Sequence, residues 1–198
     1  MKCLRAVLLL AVVVPIASLD AQTAASGPPA NPITTALRNR TAGLRRNIAQ
    51  AFDSIPESKF SYKPTPAQLS IGYIAQHVAQ DNYFFCNNFG DKKATLPDED
   101  TSTPDSVKAQ WPREKLIAKL KESNAFCDEA IAQLDDSKLA EAITVQGPNN
   151  TSRQVARANF VVGHALDLAD HYSQLANYMR LNGIVPPTAL PRKPRSGN

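Results

Sequence analysis

Three cysteines, three histidines, two methionines and one tryptophan are all that the 198 residues hold of these scarcer side chains. So few cysteines exclude a disulfide-dense miniprotein and a four-cysteine zinc module. No G-x-S-x-G, H-E-x-x-H or phosphate-loop motif is present, which excludes the familiar serine-hydrolase, zincin and P-loop chemistries. Charge of one sign is lacking too. The 22 basic residues face 18 acidic ones, for a net charge of +4. No basic stripe with interleaved aromatics appears, so no nucleic-acid partner is expected. Alternating β-branched runs and internal repeats are missing, which argues against a sheet-rich or solenoid architecture. No apolar run approaches the ~20 residues that a membrane-spanning helix needs.

What is there begins with a leader. Lys2 and Arg5 precede the apolar run AVLLLAVVVPIA, and small residues follow in SLDAQTAAS. That order is the layout of a secretory signal peptide over residues 1–21, with cleavage expected after Ala21. The mature chain is then secreted or periplasmic, with no stable membrane association once the leader is gone. Residues 22–32 are small, polar and proline-rich, a flexible lead-in. Residues 188–198, ending in PRKPRSGN, form a basic, proline-rich tail. Between them lies one domain, residues 33–187.

Within that domain the apolar residues recur at helical spacing. Ile33, Leu37, Leu44, Ile48, Ala51, Phe52 and Ile55 mark a first helix over about 33–55, and Pro56 ends it. Ser70 caps a second, 70–90, with Ile71, Ile74, Val78, Phe85 and Phe89 inward and Gly90 as its stop. A polar, proline-containing crossover leads to a third helix over 112–134, with Pro112 in its first turn. Ser137 to Ile143 add a short helical turn. Thr151 is the cap expected for a fourth helix over 152–182, which Gly183, Pro186 and Pro187 close. Four helices with one long crossover predict an all-α four-helix bundle.

Cys86 and Cys127 remain once the leader, with Cys3, is removed. In an exported chain an even pair predicts a disulfide, although two buried thiols acting as small hydrophobes fit the sequence as well. A bridge closing about 40 residues stabilises by roughly 3–4 kcal/mol in the chain-entropy view.

Two segments carry a family resemblance. YKPTPAQLSIGYIAQHVAQDNYFFC, residues 62–86, has a Lys-Pro-Thr-Pro segment, a cap and a helix bearing His77. HYSQLANYMRLNGIVPP, residues 171–187, has a histidine, a polar pair, a Tyr-Met-Arg step, Asn-Gly and two prolines. In this order and spacing the chain resembles the DinB/YfiT-like family of four-helix-bundle proteins regarded as metalloenzymes, over about Ile33 to Pro187. The resemblance implies a divalent metal held by three histidines, one on the second helix and two on the last, four residues apart. His77 stands at the first position and His171 at the last; the position four before His171 holds Asp167.

Residues four apart on a helix are surface neighbours, whereas seven apart they are separated by about 10.5 Å along the axis. Of the remaining candidates, Asp167 therefore chelates with His171 more easily than His164 does. The expected set is His77, Asp167 and His171, with His164 as an alternative ligand or a residue behind the set. Asp81, one turn after His77, is expected to orient that imidazole. Two imidazoles and a carboxylate suit Zn²⁺, Ni²⁺ or Fe²⁺ and leave positions open for water or substrate.

The reading implied is an exported metal-dependent enzyme of hydrolase or thiol-transferase type, acting on an unidentified small molecule. The alternative is a non-catalytic bundle that binds a metal or small ligand, or serves as a stress-related interaction protein. A homodimer is open in either case.

Overall fold

The computed structural model describes residues 30–191. The signal peptide expected over 1–21, most of the expected lead-in and most of the expected tail lie outside the described residues. Seven α-helices and two strands are present among the described residues: α1 (Pro32–Ser54), α2 (Ile71–Cys86), α3 (Asp98–Ser102), α4 (Asp105–Lys108), α5 (Arg113–Ala132), α6 (Asp136–Leu139), β1 (Ala142–Gln146), β2 (Ser152–Ala156) and α7 (Ala158–Leu181). The four long helices form the bundle: α2 packs along α5 and α7, and α1 along α7 and α5. The short α3 and α4 sit in the crossover, and α4 packs on α2. No described helix is long and apolar enough to cross a membrane.

Helix ends follow local chemistry. The Ser70 hydroxyl accepts the backbone N–H of Tyr73 at 3.1 Å, satisfying one orphan donor at the start of α2. The free amides that open α1 are capped from a distance. Asp136 on α6 accepts from Ile33 N at 3.1 Å, and from Thr34 N and Thr34 Oγ1 at 2.7 Å each. At the other end of α1, the Arg113 guanidinium donates to the carbonyls of Phe52, Asp53 and Ile55, each at 3.0 Å. A cation there answers both the orphan carbonyls and the negative end of the helix dipole. Gly72 lets α2 approach the crossover; a Cβ at that position would run into the Ala109 carbonyl oxygen.

The fourth long helix starts later than its sequence suggests. Residues 152–156 are not its first turns but β2, paired antiparallel with β1 in the register Ala142↔Ala156, Thr144↔Gln154 and Gln146↔Ser152. Thr151 is therefore not the N-cap of α7; it closes the 3-10 turn Pro148–Asn150 between the strands. Ile143, Val145 and Val155 alternate inward with period two and pack on the lower core, which a helix through 152–157 would not achieve. Asn149 in the connecting turn adopts φ 57°, a left-handed conformation that Asn tolerates. The second helix also stops at Cys86, short of Gly90.

The core falls into two apolar clusters. The upper one gathers Ile48, Phe52, Ile74, Val78, Leu116, Leu120, Leu168 and Leu175. The lower one gathers Phe89, Ile131, Phe160 and Val161 around Cys86 and Cys127. Those two cysteines stand at disulfide-bonding distance, with Cα atoms 5.3 Å apart. Buried polar residues from all four long helices, including Arg45, Asn82, Ser123 and His164, join the interior.

Candidate metal centre

Helix α2 carries His77 and Asp81, and α7 carries Asp167 and His171. Each pair is spaced four apart, so each shares a helix face, and the packing of α2 on α7 brings the two faces together. His77 Nε2 lies 3.1 Å from Asp81 Oδ2, and His171 Nε2 lies 3.4 Å from Asp167 Oδ1. The two imidazole rings meet edge to face with centroids 4.9 Å apart. One donor atom each from His77, Asp81 and His171 falls within 4.8 Å of the others. The cluster sits at the bundle's edge: the His171 side chain is 7% exposed and that of His77 31%, so access is from the His77 side.

The electrostatics are those of carboxylates held too close together. Burial, and then the charge of Asp167, push the Asp81 carboxyl up to about 7. Burial, and then the charge of His171, lower His77 below the ordinary histidine value. Both shifts disfavour the charged forms and weaken the ion-pair character of the His77–Asp81 contact. Burial would also lower His171, but its hydrogen bond to Asp167 and the charges of Asp167 and Asp81 prevail and raise it. Asp167 Oδ2 and His171 Nδ1 are buried without a hydrogen-bond partner. A buried polar atom left so costs roughly 1–3 kcal/mol. A divalent cation fits this set: it supplies the positive charge that two facing carboxylates lack, and imidazole with carboxylate is a donor combination suited to Zn²⁺, Fe²⁺ or Ni²⁺.

His77 and His171 are thus brought together, but the third donor within reach of both is Asp81; Asp167 stays beside His171, its Oδ1 3.4 Å from Nε2. Asp81, expected only to orient His77, stands among the donors themselves. The i,i+4 spacing from His77 was the available signal, but the approach of Asp167 across the helix pair is not visible in sequence. His164 is not in this cluster. It is fully buried, and its Nε2 lies 2.9 Å from Asn82 Oδ1 and 4.0 Å from Cys127 Sγ. Its rise of about 10.5 Å from His171 along α7 puts it in a lower layer. Burial, and then the Arg45 charge, lower His164 to about 3, so it is neutral. Asn82, which anchors it, and Arg45, paired with Asp128, carry no sequence signal for that role.

The chain's likenesses agree with this architecture. Residues 40–175 match the DinB superfamily. No curated protein matches. Among solved structures, a DinB-like protein from Bacillus cereus superposes with a TM-score of 0.58 at 15% identity, covering 77% of this chain and 95% of that one. A conserved protein from Enterococcus faecalis gives a TM-score of 0.55 at 15% identity, covering 75% and 96%. A mycothiol-dependent maleylpyruvate isomerase gives a TM-score of 0.55 at 13% identity, over 72% of this chain; the match spans only 60% of the isomerase. At such identities the solved structures share the fold alone. The match over residues 40–175, most of the chain, shows the family: this protein belongs to the DinB superfamily.

Proposed function

We propose that the chain is a metal-dependent enzyme whose divalent ion is held by His77, His171 and the carboxylates of Asp167 and Asp81. The observation that carries this is the convergence of His77, Asp81 and His171 from α2 and α7 at one partly exposed point, with Asp167 beside His171 and with Asp167 Oδ2 and His171 Nδ1 unpartnered. A bound divalent ion supplies Lewis acidity and lowers the pKa of a coordinated water or thiol.

The chain's own residues do the rest. His171, the least exposed of the four, fixes the inner wall. His77 and Asp81 form the outer wall, where a small molecule arrives. With the ion held, Asp81 and Asp167 would balance its charge from the two helices, so that both carboxylates stay ionised. The isomerase that shares the fold uses a thiol by its name, which keeps thiol transfer beside hydrolysis as the reaction type. A thiol cosubstrate is scarce outside the cytoplasm, and with the leader-like N-terminus we place the chain there and favour hydrolysis of a small molecule.

Titration of the purified chain with Zn²⁺, Ni²⁺ and Fe²⁺, followed by turnover of small ester and amide substrates, tests this. Metal binding lost in His77→Ala and His171→Ala, with turnover lost alongside, is the expected result. Tight metal binding without turnover of any substrate would make it a metal-binding protein, and no binding at all would remove the reading.

A further inference from the structure

Below the first cluster, a second one joins three helices. Cys86 ends α2, Cys127 lies midway along α5, and His164 lies on α7. One donor atom from each falls within 4.8 Å of the other two, and all three residues are fully buried. Asn82 sets the imidazole. Its Nδ2 donates to Ser123 Oγ and to Asn124 Oδ1, each at 2.9 Å, so its Oδ1 is an acceptor and takes the proton of His164 Nε2. That leaves His164 Nδ1 buried with no partner. A disulfide closed between two cysteines needs no imidazole beside it, yet His164 Nε2 stands 4.0 Å from Cys127 Sγ, and the bare Nδ1 is free to take the Nε2 proton.

We propose that, when the Cys86–Cys127 bond is reduced, Cys86, Cys127 and His164 form a second, closed site for a thiophilic ion of the Zn²⁺ type, with Asn82 Oδ1 as its fourth donor. This does not rest on the reading of the His77 cluster. The step balances. A dithiol reductant delivers two electrons and two protons to the S–S bond and is itself oxidised to a disulfide, leaving two thiols. Binding the ion releases both thiol protons to solvent. The His164 Nε2 proton passes to Nδ1, so the Nε2 lone pair faces the ion and Asn82 Oδ1 is freed to coordinate. Zn–S bonds near 2.3 Å and Zn–N bonds near 2.0–2.1 Å require donors about 3.5 to 4 Å apart. With Cα atoms 5.3 Å apart and donors already within 4.8 Å, the cysteine side chains reach that spacing by turning about their own bonds. Two sulfurs and an imidazole select a softer ion than the carboxylate-bearing set above. Solvent does not reach the site, so the ion is structural, tying α2, α5 and α7 together where the disulfide ties two of them.

The test uses the full chain carrying His77→Ala and His171→Ala, which silences the first cluster. It is reduced with excess dithiol, freed of reductant without oxygen, and titrated with Co²⁺. The expected result is a thiolate-to-cobalt charge-transfer band that saturates at one ion per chain. The band is absent from the oxidised chain and lost with Cys86→Ser, and it loses intensity and shifts with His164→Gln. No band from a reduced chain that keeps its helical circular dichroism would overturn the proposal. So would loss of helicity on reduction that Co²⁺ does not restore, or a band indifferent to His164→Gln.

Discussion

Replacing Asp81 with Asn separates the cost of the crowded carboxylates from their use. Folding lifts the Asp81 carboxyl from 3.8 to about 7, so the folded state favours its protonated form. The stability tied to that proton is fully present below pH 3.8 and is lost as pH rises through about 7. At 1.36 kcal/mol per pKa unit the full loss is about 4 kcal/mol. Some solvent still reaches the Asp81 side chain, 18% exposed, and screening brings the expected loss nearer ~2 kcal/mol. Asp81→Asn carries no proton to lose. In urea unfolding with a chelator present, the variant should gain about 2 kcal/mol over the parent at about pH 8, and much less at about pH 4. Saturating Zn²⁺ should reverse the order, since a ligand at 100 times its Kd stabilises the parent by about 2.7 kcal/mol. A variant whose pH profile runs parallel to the parent's in chelator, or one that is less stable at pH 8, would refute the reasoning.

Other outcomes are as definite. In the oxidised chain His164→Ala leaves metal stoichiometry unchanged but lowers stability by about 1–3 kcal/mol, because Asn82 Oδ1 loses its buried partner; unfolding curves and metal titration check both halves. Non-reducing peptide mapping should recover Cys86 linked to Cys127, and replacing both with serine should cost roughly 3–4 kcal/mol in the chain-entropy view. Leu168→Ala, at a fully buried core position one residue after Asp167, should cost about 2–5 kcal/mol by chemical denaturation.

The long helices were legible because their apolar residues hold period over several turns and proline or glycine marks the breaks. Ile48, Ala51 and Phe52, named from spacing, are all buried. The β1–β2 hairpin was not legible. Only Ile143, Val145 and Val155 alternate in it, and Thr151 before a polar run imitates a helix cap. Its strands are five residues each, and their pairing is not a property of either strand alone. The same limit governs the site. Spacing puts His77 with Asp81 and Asp167 with His171 on common faces, because i,i+4 geometry is intrinsic to a helix. Spacing cannot say that the two faces meet, that Asp81 then stands against Asp167, or that His164 turns to Asn82 and Cys127. Those are long-range contacts, created by the packing of α2 on α7 and α5.

The central claim is that His77 and His171 hold one metal ion, and equilibrium titration with Zn²⁺ tests it most directly. It is run on the oxidised, metal-stripped chain beside His77→Ala, His171→Ala and His164→Ala. The account predicts one ion per chain for the parent and for His164→Ala, and none for the other two at the same concentrations. A parent that takes up no Zn²⁺, Ni²⁺ or Fe²⁺, or a His77→Ala variant that binds as the parent does, would contradict it.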